Sequence, residues 1–189
     1  AGISNVYSMN FDGINDYIDA GNIPDINASS SFTISGWATQ TTLNQYKMLF
    51  GQSFGSANLI GLYTYTDGRM YVDLRNGFSS YGSFVYNTVI SADTWFHFAM
   101  VFDGTFTDGD LTTQNAGRLK LYINSLEVTL TYNLTIPSST NSAILDFNIG
   151  NIPGYNNYWL GKIDEVGIWN TNLTPTQIAQ IYNATSTGK

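Results

Sequence analysis

The chain has 189 residues, 43% of them hydrophobic and 15% aromatic, enough for a sizeable core and the opposite of the disordered composition. Charged residues make up only 11%, and the formal net charge is −7, with seven Lys and Arg that form no cluster. This excludes nucleic acid, which needs a basic stripe, and docking on anionic lipid, and it suits a cation or a neutral partner.

The absence of cysteine removes disulfides, thiol catalysis and thiolate metal sites. No apolar run reaches the roughly 18 residues of a membrane span. The start "AGISNVYS" shows no charged segment followed by an apolar one, so no signal peptide is expected there, and a trimmed secreted chain reads the same.

Short apolar-aromatic runs alternate with turn signals, as in an all-β protein. They predict strands at 6–11, 16–20, 32–39, 46–51, 58–65, 69–75, 81–86, 95–102, 117–123, 126–132, 145–150 and 158–169. Turn dipeptides fall at Asp67-Gly68, Asn76-Gly77, Asp103-Gly104 and Pro153-Gly154. No linker, composition shift or repeat interrupts the pattern, so one domain over 1–189 is expected.

The first turn, in "SMNFDGINDYIDAG", gathers Asp12, Asn15 and Asp16 around Gly13. A type I turn needs at most one such side chain for its local hydrogen bonds, so the surplus carboxylates call for solvent or a cation. In the hairpin 58–76, a two-residue Asp67-Gly68 turn sets Thr66 opposite Arg69 and Tyr63 opposite Val72. That register puts Tyr63, Tyr65, Met70, Val72 and Leu74 on the core face. Leu62 and an exposed stripe of Tyr71, Asp73 and Arg75 take the other face, a ring, an acceptor and a donor suited to a sugar.

The run "WFHFAMVF" at 95–102 is apolar on both faces and must be a central strand, its outer face covered by a second layer, a loop or a partner subunit. Its His97, the only histidine, reads as a hydrogen-bonded core residue, with no G-x-S-x-G elbow or second metal ligand to serve. Asp164 and Glu165 are adjacent in a strand and point to opposite faces, so they are no acid/base pair. Sequons at Asn27, Asn133, Asn172 and Asn183 fit chance in so Asn- and Thr-rich a chain. A helix is predicted at about 174–184, capped by Thr174, with Pro175 in its first turn and Gln177 completing a capping box.

The ordered set "MNFDGINDYIDAG", "SFTISGWATQ", "DTWFHFAMVFDG", "GRLKLYINSLEV", "FNIG" and "YWLGKIDEVGIWNTNLTPTQI" resembles the laminin-G-like, concanavalin A-like jelly-roll family over residues 7 to 182. The resemblance implies an all-β antiparallel sandwich with one short C-terminal helix. It also implies a non-catalytic glycan-binding or adhesion module, displayed outside a cell or on a cell or virion surface. Related β-glucanases carry an E-x-D-x-x-E motif that this chain lacks. Two departures stand out: a longer loop at 103–117, and Asn124-Ser125 in place of the usual Asn-Gly or Asp-Gly turn.

Candidate glycan ligands are Tyr71, Asp73 and Arg75 and the loop aromatics Tyr155, Tyr158 and Trp159. Related sandwiches bind calcium where first and last strands adjoin, which implies a structural ion held by Asp12, Asn15, Asp16 and Asp164. The loop with Asp103, Asp108 and Asp110 is a rival site. A second functional reading is a structural or decoration domain of a virion or surface assembly, self-associating through the outer face of 95–102.

Overall fold

A computed structural model describes residues 7–54, 58–77, 83–86, 90–132, 134–142, 145–152, 154–186 and 189. The strands are β1 (Met9–Asp12), β2 (Ile18–Asn22), β3 (Ser31–Ala38), β4 (Lys47–Phe54), β5 (Asn58–Thr64), β6 (Met70–Asn76) and β7 (Ser83–Tyr86). They continue as β8 (Phe96–Asp103), β9 (Leu119–Ile123), β10 (Leu126–Val128), β11 (Leu130–Tyr132), β12 (Asp146–Ile149) and β13 (Leu160–Trp169). Helix α1 (Leu111–Arg118) precedes β9, and α2 (Pro175–Thr185) follows β13.

The strands form two antiparallel sheets: six-stranded, in the order β1-β13-β3-β8-β9-β10, and seven-stranded, in the order β11-β7-β6-β5-β4-β12-β2. Between them lies one apolar core that includes Phe32, Leu62, Phe98, Phe147 and Trp159. Two antiparallel sheets with inward rows interleaved are the expected jelly-roll sandwich. Expected strand residues 6, 81 and 82, the sequon Asn133 and the turn residue Pro153 lie outside the described residues.

Three elements differ from the sequence reading. The predicted strand 126–132 is two strands: β10 pairs with β9 in one sheet and β11 with β7 in the other, so the chain changes sheets at Thr129. The long loop at 103–117 contains α1, whose N-cap Asp110 accepts a hydrogen bond from the Thr113 amide at 2.8 Å, so the described residues hold two α-helices where one was expected.

The hairpin register is also shifted by one residue. The Tyr65 amide bonds to Arg69 O at 3.0 Å and the Gly68 amide to Tyr65 O at 2.9 Å, with Gly68 at φ +77°. This is a three-residue loop closed by a left-handed glycine, and it sets Tyr63 opposite Tyr71 and Leu62 opposite Val72. A one-residue slip regroups a face. Met70, Val72 and Leu74 face the core as expected and Leu62 joins them, while Tyr63 joins Tyr71, Asp73 and Arg75 on the outer face.

Helix α2 covers the outer face of the six-stranded sheet. Leu173 and Ile178 pack on Ala99, Val101 and Tyr122, with Trp169 and Ile181 at the margin. The predicted capping box is present, Thr174 Oγ1 accepting from the Gln177 amide at 3.3 Å and Gln177 Oε1 from the Thr174 amide at 2.9 Å. The second apolar face of 95–102 is therefore covered from within the chain.

Candidate functional site

The outer face of the seven-stranded sheet carries a cluster of aromatic and polar side chains. Antiparallel pairing aligns Leu59 with Arg75, Gly61 with Asp73, and Tyr63 with Tyr71. Four tyrosines close a cycle there. Tyr46 meets Tyr63 at 5.1 Å and Tyr65 at 5.4 Å between ring centroids, and Tyr71 meets the same two at 5.4 and 5.5 Å. Tyr63 and Tyr71 stack within 12° of parallel, while Tyr65 stands edge-on to Tyr46 and Tyr71. Tyr63 is 7% exposed and Tyr65 42%, so the cycle has a buried floor and an open rim.

Polar groups hold the rings in place. Tyr71 donates to Asp67 Oδ2 at 3.0 Å and Tyr63 to Asp73 Oδ2 at 3.2 Å, while Arg75 Nη2 reaches the same Asp73 oxygen at 2.5 Å. Burial, joined by the Asp67 hydrogen bond, raises the Tyr71 pKa, and burial, joined by the Asp73 charge, raises that of Tyr46. These hydroxyls remain protonated donors at neutral pH.

Glycine shapes the floor. A Cβ at Gly51 would lie 2.4 Å from Ile152 Cδ1 and 2.7 Å from Ile60 O. The bare backbone lets the loop after β12 lay Ile152 beside Met48 and Tyr63. The same loop carries Tyr155, 39% exposed and close enough to Tyr46 to contribute to its raised pKa.

The structure thus brings Tyr71, Asp73, Arg75 and Tyr155 to one region. Asp73 and Arg75, at 1% and 9% exposure, are no open stripe. The slipped register brings Tyr63 onto their face, where its hydroxyl donates to Asp73, and Asp73 and Arg75 form an ion pair. Trp159 is removed from the candidates: it is fully buried, and its Nε1 donates to Thr39 O at 2.9 Å in the core. Tyr158 instead meets Tyr17, at 6.4 Å. Tyr46, Tyr63 and Tyr65 were missed because the two-residue turn assigned the last two to the core; the three residues preceding Arg69, ending in glycine, were the available signal.

The expected calcium ligands do not assemble. Asp12 Oδ1 accepts from the Ile14 and Asn15 amides at 2.8 and 3.3 Å, and Asp16 Oδ2 from the Asp12 amide at 3.0 Å. The cation at this turn is Lys47, whose ammonium donates to Gly13 O at 3.2 Å. Asp12 pairs with Leu160, so Asp164 lies four residues along β13, roughly 13 Å away. Asp164 is ion-paired with Lys189, whose ammonium also sits over the Trp95 ring.

Asp164 also does not share the face of Val166 and Ile168. A bulge between Asp164 and Gly167, with Glu165 at φ +52°, breaks the alternation, and Asp164 pairs with the outward Trp37. In the rival loop, Asp103 Oδ1 accepts from Thr105, its Oδ2 from Asn172, and Asp108 Oδ1 from the Asp110 amide. Neither donor set fits a calcium cage, which would need six to eight converging oxygens. Among the described residues no three His, Cys, Asp or Glu cluster as metal ligands.

The laminin-G family model described as the concanavalin A-like lectin/glucanases superfamily matches residues 12–179. Among solved structures, domain 4 of the extracellular arabinanase AbnA from Geobacillus stearothermophilus, in complex with arabinotriose, is similar at TM-score 0.70 and 21% identity, over 93% of this chain and 76% of that one. The SAP-like pentraxin of Limulus polyphemus is similar at TM-score 0.64 and 18% identity, over 92% and 80%. The receptor-binding domain of botulinum neurotoxin mosaic serotype C/D gives 0.69 and 15%, over 97% of this chain and 44% of that one. At these identities the likeness is one of fold. No curated protein matches the chain.

Proposed function

Because the chain belongs to the laminin-G family of the concanavalin A-like lectin/glucanases superfamily, we propose that it is a non-catalytic module that binds glycans for adhesion. The superfamily holds both enzymes and binding domains, so the activity must be argued from the site. The carrying observation is the four-tyrosine cycle on the outer face of the seven-stranded sheet. Its rim of exposed Tyr65 and half-buried Tyr71 offers apolar ring surface for a sugar face, and exposed Tyr155, near Tyr46, adds a hydroxyl for hydrogen bonds.

Asp73, the carboxylate beside the rings, is engaged by Tyr63 and Arg75 and is not placed to protonate a leaving group. The arabinanase domain supports the reading, since that relative's structure holds arabinotriose. Display outside a cell, or on a cell or virion surface, suits such a module. Assembly through the outer face of residues 95–102 loses its motive, because α2 covers that face.

The test is a glycan array with the parent chain and the Tyr65→Ala and Tyr71→Ala variants, with melting temperatures recorded for all three. The expected result is sugar binding by the parent, reduced at least about tenfold in both variants, as loss of one stacked ring and its contacts implies. A folded parent blind to every sugar on the array overturns the reading.

A further inference from the structure

The hairpin turn beside the tyrosine cycle carries an acid and a base at its open rim. The Tyr65 amide bonds to Arg69 O at 3.0 Å, continuing the register that sets Thr64 opposite Met70, so Arg69 stands directly across from Tyr65. Alternation back from β6 puts the Arg69 side chain on the face of Tyr71. Both partners of this cross-strand pair are open to solvent, Tyr65 at 42% and the Arg69 side chain at 46%.

Asp67 is held in place. Its Oδ1 accepts from the Arg69 amide at 3.0 Å and its Oδ2 from the Tyr71 hydroxyl at 3.0 Å, so the turn and one ring of the cycle both fix this carboxylate. A carboxylate has about four acceptor positions, and the Asp67 side chain, 38% exposed, turns the remaining ones to solvent. The Arg69 guanidinium makes no hydrogen bond to the described residues, and its Nε lies 3.7 Å from Asp67 Oδ2. An acceptor with capacity to spare and a fork of donors thus lie side by side, next to an exposed ring.

We propose that Asp67 and Arg69 make the tyrosine site selective for a neutral sugar with adjacent hydroxyls and against acidic sugars. Asp67 accepts from one hydroxyl and Arg69 donates to the next, while the sugar face lies on Tyr65. A hydroxyl both donates and accepts, so two neighbouring ones satisfy the pair, which a carboxylate or an ammonium meets only by half. An isolated arginine would favour a carboxylate, clasped by two parallel hydrogen bonds. Here Asp67 offsets that charge, Asp73 and Arg75 offset each other further along β6, and the chain as a whole carries −7. An acidic sugar therefore meets the Asp67 carboxylate with no net positive charge to draw it in. The proposal rests on the glycan reading above and names its sugar class.

The test is calorimetric titration of the whole chain with arabinotriose, galactotriose and trigalacturonate, the last two differing by a carboxylate on each ring. Arg69→Gln and Tyr65→Ala are titrated beside it, with melting temperatures for all three proteins. The expected result is a parent that binds a neutral trisaccharide at least about tenfold more tightly than trigalacturonate. Arg69→Gln is expected to melt with the parent and to weaken the neutral sugar about tenfold, the loss of one charge-assisted hydrogen bond. A parent that takes trigalacturonate as tightly as galactotriose overturns the selectivity, and this comparison needs no variant. A neutral sugar that Arg69→Gln binds unchanged and Tyr65→Ala loses overturns the role of the pair while the tyrosine site stands. A parent that binds none of the three overturns the proposal, and the glycan array then decides the broader reading by itself.

Discussion

His97 is fully buried, and both ring nitrogens lack a hydrogen-bond partner among the described residues. Its neighbours are rings: Trp37 at 5.4 Å and Tyr182 at 5.7 Å, both edge-on. Burial lowers its pKa from 6.5 to about 4, since the aromatic surroundings do not solvate a cation. The unfolded chain therefore binds this proton more readily than the folded one. The resulting stability is complete above pH 6.5, declines as the pH falls toward 4 and levels off below it, by roughly 3 kcal/mol in all. Denaturant melts of the parent and His97→Phe across pH 3.5 to 7.5 check this, and the variant is expected to lack that decline. At Asp164 the expectation concerns a lysine and not a metal. Asp164→Ala is expected to lower the melting temperature equally with calcium and with chelator, because its partner is Lys189.

At the scale of the element, Gly51 and the α2 cap each carry a definite cost. Gly51→Ala forces its new methyl against Ile152 and the Ile60 carbonyl, and only the Ile152 side chain can give. A loss of about 1–3 kcal/mol is expected, with weakened sugar binding as the loop bearing Tyr155 shifts; melting and glycan titration check the two together. Thr174→Ala removes the capping box and is expected to cost about 1 kcal/mol, measured by denaturant melts. That helix was legible because its cap, proline and apolar spacing all agree locally. The strands were legible to within a few residues for the same reason. The tyrosine site was not, because it depends on whether the hairpin turn uses two residues or three, and Asp67-Gly68 allows either. Trp159 was misread because aromatic residues near a turn serve core and ligand alike. The split at Thr129 has no local signature, since Leu126 to Tyr132 is uniformly strand-forming.

At the scale of the whole molecule, the two sheets adjoin through short connections on both flanks. The acidic turn after β1 leads into β2 on one flank, and Thr129 joins β10 to β11 on the other. The first two strands are also held by late ones, β1 by β13 and β2 by β12. This closing of the chain on itself has a consequence in time. During synthesis the first strands wait, unpaired, for partners that begin more than a hundred residues later. Sheets built on such distant pairings form slowly, and their waiting edges are exposed to wrong partners. Refolding from denaturant is expected in milliseconds to seconds or longer, with losses that grow with protein concentration. A chain stopped at residue 159 leaves β1 without its neighbour; its expected fate is aggregation, read by light scattering beside the full chain.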